Sequence, residues 1–146
     1  MQKLYSQSEE KTLAAIEVGG SNLFLYRQCY ALLLMEMDRI PEAIQQLQQS
    51  LRLNRRQRDS YSLLGGIYSK SKEYQMAYNV YRMALKYNPN EATFHFQLGS
   101  NLIYLNRTED AEAPLRKAFS LAKSQNFFIE ESKFLLGFCL RELGQF

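Results

Sequence analysis

Apolar residues recur along most of this chain at spacings of three and four, with polar residues between them, and no segment reads as a strand. That spacing builds one apolar stripe per helix. It predicts helices near residues 7–18, 23–37, 41–53, 58–70, 74–87, 92–104, 108–124 and 129–143. Local chemistry agrees with the boundaries. Pro41 follows Asp38-Arg39-Ile40 at a first-turn position, where its missing N–H costs nothing. Thr108-Glu109-Asp110 offers a cap and two acids before Ala111, and Asn88-Pro89-Asn90 ends one helix and begins another. Gly19-Gly20-Ser21 reads as a break between helices, with Ser21 or Asn22 capping the next.

Above the helical period lies a longer one. Gly65 and Gly99 stand 34 residues apart, preceded by Leu64 and Leu98. Ala43, Ala77 and Ala111 repeat at the same interval, as do Ala84 and Ala118, and Tyr30-Ala31 falls one period before Leu64-Gly65. Small residues at fixed phases let two antiparallel helices approach closely, and the large residues between them fill the gaps. One such pair cannot bury its own stripe, so neighbours must stack.

The best copy runs Tyr61-x2-Leu64-Gly65-x2-Tyr68, Ala77-x3-Tyr81, Ala84, Pro89. It resembles the tetratricopeptide repeat, a helix–turn–helix of 34 residues. Two looser copies are Arg27, Tyr30, Ala31, Leu34, Ala43, Leu47, Ser50 and His95, Leu98, Gly99, Leu102, Ala111, Leu115, Ala118. The resemblance implies an all-α fold, a right-handed superhelical solenoid of antiparallel helix pairs. The expected parts are a half-repeat helix at 1–23, repeats at 24–57, 58–91 and 92–125, and a second half-repeat helix at 126–146. Opening and closing on half-repeats suggests a piece of a longer array, or ends covered by self-association. Leu136-Gly137-x2-Leu140 continues the pattern four residues late, about one extra helical turn.

Composition narrows the function. Apolar residues are 46% of the 146 and charged residues 23%, ordinary globular proportions. Eighteen Lys and Arg against fifteen Asp and Glu leave +3, too mild to argue for nucleic acid. Two cysteines and one histidine exclude a disulfide-stapled scaffold, a cysteine-rich zinc module and chemistry needing several histidines. No apolar run is long enough to cross a bilayer. Met1 to Glu10 lack the apolar core of a secretory signal, which favours a soluble cytoplasmic setting. No catalytic, cofactor-binding or metal-binding residues are expected. His95 occupies the packing phase of Tyr61, and the Arg52, Arg55, Arg56 and Arg58 cluster reads first as charge complementing a helix C-terminus, with an anion or acidic-partner contact at a turn as the alternative.

Binding is expected on the stripe opposite the packing phases, which the resemblance places on the concave face. In the first helices it reads Leu25, Gln28, Leu32, Met35; Asp59, Ser62, Gly66, Ser69; and Thr93, Phe96, Ser100, Ile103. The last half-repeat adds Glu131, Phe134, Phe138 and Arg141. A small centre at Ser62 and Gly66 would admit a peptide backbone, with the apolar flanks gripping its side chains. Charge reversal at Phe96 or Ile103 is expected to abolish binding without unfolding. Members that hold chaperone C-termini use a Lys/Asn/Asn/Lys/Arg clamp, and the equivalent Gln28, Leu32, Leu63, Thr93 and Gln97 match none of it. The expected function is a non-catalytic scaffold or adaptor for a protein or peptide partner. The alternatives are a self-associating assembly module and a regulatory region of a longer enzyme or sensor.

Overall fold

A computed structural model describes residues 1–125 and 137–143, and in these the chain is helical, with no strand. The helices are α1 (Gln2–Val18), α2 (Leu23–Glu36), α3 (Ile40–Leu53), α4 (Arg58–Lys70), α5 (Tyr74–Tyr87), α6 (Ala92–Tyr104) and α7 (Thr108–Gln125). Residues 137–142 are also helical and fall inside the expected eighth helix; the remainder of that segment lies outside the described residues. The sequence pattern places α2 to α7 to within a residue. Only α1 differs, starting five residues early, because Gln2 to Ser6 continue the helix without burying anything.

The chain divides into two compact units, Met1–Ile67 and Tyr68–Phe146. In the first, α1 packs on α2 and α2 on α3. Its core is Tyr30, Ala31, Leu34, Ala43, Leu47, Tyr61, Leu64 and Ile67. Ser50 is also fully buried there, where its hydroxyl donates to the Phe24 carbonyl (2.6 Å) and accepts from Gln57 Nε2 (2.7 Å). Those two bonds offset the cost of taking a hydroxyl out of water. In the second unit α5 packs on α6 and α6 on α7. Tyr81, Ala84, Phe94, Leu102, Ala111, Leu115, Ala118 and Ala122 form its interior, with Tyr81 against Phe94 at 6.1 Å between ring centroids.

Three tight turns, each between the first and second helix of a repeat, share one geometry. Asp38, Lys72 and Asn106 each hold a left-handed backbone, with φ of 58°, 62° and 60°. The following N–H reaches back five residues in each: Arg39 to Leu34, Glu73 to Tyr68 and Arg107 to Leu102, all at 2.8 Å. This is the Schellman closure, which satisfies carbonyls left open at a helix C-terminus. It reverses the chain within a few residues, and within the units it lays α3 back on α2 and α7 back on α6.

Pro114 lies inside α7, where a proline removes a helix hydrogen bond and crowds the carbonyl four residues before it. The helix nevertheless continues, because Ala111, Leu115, Ala118 and Ala122 on its packed side are buried to 1% exposure or less. Packing outweighs propensity here.

Candidate functional site

On α2 the core residues Tyr30, Ala31 and Leu34 face inward. Another side also carries large apolar groups: Leu25 and Leu32, seven residues apart, are 43% and 42% exposed. Gln28 and Met35 share that side and are half-buried, and Cys29 is exposed with a free thiol. Seven residues is close to two helical turns, so Leu25 and Leu32 stand one above the other. A helix with one side fully packed and large apolar groups left in water on another presents a surface that gains by being covered.

Within α4, Ser62 and Gly66 are exposed, and a side chain built at Gly66 would meet nothing within 4 Å. Gly66 is therefore an open surface position. Asp59 is exposed beside them. Ser69, expected on the same stripe, instead turns inward and donates to Asn101 Oδ1 (3.1 Å), while Asn101 Nδ2 donates to the Gln97 carbonyl (2.7 Å). Asn101 is 2% exposed, so those bonds compensate its burial.

The α6 stripe is more enclosed. Thr93, Phe96, Ser100 and Ile103 are all half-buried. Phe96 and Ile103 pack against the cluster of Leu102, Ala111, Leu115 and Cys139, the last from the helical 137–142 segment. The Ser100 hydroxyl donates to its own helix at the Phe96 carbonyl (3.0 Å). Charge reversal at Phe96 or Ile103 would thus force a charge against the core, so those substitutions do not separate binding from folding. Phe138 is 37% exposed, and Phe134 and Glu131 lie outside the described residues.

His95 is half-buried, with Nε2 at 2.7 Å from the Pro89 carbonyl. A carbonyl only accepts, so Nε2 carries the proton. Burial lowers the histidine pKa, partly countered by that bond. The bond fastens the start of α6 to the preceding turn. Burial likewise pushes the Tyr81 hydroxyl up to about 12 and, with the nearby Glu112 charge, raises the Cys139 thiol. No group of three or more His, Cys, Asp or Glu that could hold a metal occurs among the described residues, and no helix there is long and apolar enough to cross a membrane.

One feature gave no signal in the apolar pattern. The Tyr78 ring lies under two guanidinium groups, Arg82 at 5.6 Å and Arg107 at 5.3 Å, and Tyr74 stacks on Tyr104 at 4.5 Å. The four-residue spacing of Tyr74, Tyr78, Arg82 and Lys86 along α5 is the sequence trace that would have revealed it.

Residues 59–91 match the family model of the tetratricopeptide repeat. Among solved structures, the chain is similar to YrrB, described as a TPR protein with an unusual peptide-binding site. The TM-score is 0.75 at 23% identity, over 94% of this chain and 68% of that one. It is also similar to MamA, with a TM-score of 0.77 at 16% identity, over 96% of this chain and 79% of the other. No curated protein sequence matches. Residues 59–91 are a tetratricopeptide repeat, and the described residues share the all-helical fold of tetratricopeptide-repeat proteins.

Proposed function

We propose that this chain is a non-catalytic interaction scaffold that docks a peptide or helix of a partner protein on the stripe begun by Leu25, Gln28, Leu32 and Met35. The observation that carries the reading is the pair Leu25 and Leu32, large apolar side chains held in water on a helix whose core side is already closed. The exposed, unobstructed Gly66 supports it by leaving room for a peptide backbone. The peptide-binding site named for YrrB, a protein of the same fold, is consistent with it. Affinity comes chiefly from the leucine and methionine anchors, so salt affects it little.

The test is affinity capture from the native source with the wild-type chain and with the double substitution Leu25→Glu, Leu32→Glu. Both sites are exposed, so circular dichroism should show an unchanged helix content. The partner retained by the wild type should be absent from the variant. Equal recovery by both chains would refute the assignment to this stripe.

A further inference from the structure

The side of α5 that faces solvent combines charge and apolar surface in a way its hairpin does not need. The helix carries Arg82 and Lys86 and no acidic residue. Like charges four apart on a helix repel, and no acid on α5 offsets that repulsion. Among the described residues neither Arg82 nor Lys86 has a carboxylate within ion-pair reach. Between them Met83 is 48% exposed, and Met76, two turns earlier on the same side, is 43% exposed. Asn79, Arg82, Met83 and Lys86 line an open depression of about 510 Å³.

The cations are partly ordered before any ligand arrives. Arg82 rests over the Tyr78 ring at 5.6 Å and Lys86 over the Tyr87 ring at 5.8 Å. A guanidinium seated on a ring loses rotamer freedom in advance, so less entropy is lost when its edge donors meet a carboxylate. Arg107, on the same Tyr78 ring, has its Nε and Nη2 engaged by Asp110 at 3.0 and 2.9 Å, leaving Arg82 as the unpaired guanidinium of the two.

We propose that the solvent-facing side of α5 is a second docking surface, for an acidic peptide segment of a partner protein. Its carboxylates are held by Arg82 and Lys86, and its apolar side chains lie on Met76 and Met83. Charge complementarity supplies the sign of the partner, and the two methionines, soft and adaptable, supply the apolar contact. A nucleic acid strand fits less well, because cations already cover the Tyr78 and Tyr87 rings on which bases would stack.

The test is fluorescence anisotropy on the full chain with three dye-labelled probes. They are a synthetic peptide of Glu and Leu, the same peptide with Lys for Glu, and an oligouridylate. The acidic peptide should bind, more weakly as salt rises, and the lysine peptide should not. Arg82→Glu with Lys86→Glu should weaken binding by about tenfold or more, the scale of losing two charge-assisted contacts. Leu25→Glu with Leu32→Glu should leave it unchanged, which separates this surface from the α2 stripe. The proposal fails if the acidic peptide does not bind, or if the charge-reversed chain binds it equally well. It also fails if the leucine variant loses binding to the same extent, or if the oligouridylate binds more tightly than the peptide.

Discussion

Arg39 and Arg107 occupy the same turn position, two 34-residue periods apart, and grip their surroundings differently. Both fork onto an acid three residues later, Glu42 and Asp110. Arg39 then reaches α1, where Nη1 meets Glu9 Oε1 at 2.7 Å, the same oxygen that accepts the Tyr30 hydroxyl at 2.7 Å. Arg107 instead lies on the Tyr78 ring of α5. One backbone arrangement therefore supports an ionic fastening in the first unit and an aromatic one in the second. The interiors differ in the same way. Ala31 and Ser50 fill the small phases of the first unit, where Gly99 and Ala118 fill them in the second. The repeat fixes where contact occurs and leaves the chemistry of that contact free.

The largest effect should come from the position that both units share. Leu47 and Leu115 occupy one phase and each is 0% exposed, so Leu→Ala at either should cost about 2–5 kcal/mol in urea unfolding. A small loss at one site alone would show that the two interiors are not equivalent.

Glycine substitutions should sharpen the contrast. A Cβ at Gly99 would fall 2.6 Å from Leu115 Cγ, near the middle of a buried side chain that has no room to retreat. Gly99→Ala should therefore destabilise by about 1–3 kcal/mol despite its better helix propensity. Leu115→Ala in the same chain should relieve most of that loss, visible as non-additivity in a double-mutant cycle. Gly66→Ala, with open space around it, should instead stabilise by about 0.5–1 kcal/mol.

The smallest effect distinguishes the two fastenings by pH. The Tyr30 hydroxyl, and next the Arg39 guanidinium, hold the Glu9 carboxyl below its ordinary 4.5. A depressed folded-state pKa means the unfolded chain binds the proton more readily. The contribution is complete above pH 4.5 and is lost as pH falls through the folded value. Glu9→Gln should flatten thermal stability across that acid window while costing less than about 1 kcal/mol at neutral pH. His95, also depressed, adds an acid-side loss that begins higher, below its ordinary 6.5. His95→Gln should remove that component and leave the Glu9 step in place.

Much of the fold was written in local spacing. The helices from Leu23 to Gln125 fall where apolar period and caps put them, because each boundary depends on residues adjacent in sequence. The common turn was hidden, since Asp38, Lys72 and Asn106 share a backbone angle and no chemistry. The inward turn of Ser69 and the seating of Phe96 depend on Asn101 and Cys139, long-range neighbours that helical periodicity does not encode. On α2 the stripe could be read directly, because Leu25 and Leu32 have an unpacked side determined by their own helix.

The three left-handed turns carry one last implication, for how such a chain grows. Because Asp38, Lys72 and Asn106 are equivalent backbone points one period apart, a cut at one of them rejoined at the next deletes a whole hairpin. The junction would still present the same closing carbonyl and N–H. Duplication between the same points adds a hairpin just as cleanly, so arrays of this kind lengthen or shorten by whole modules while side chains drift.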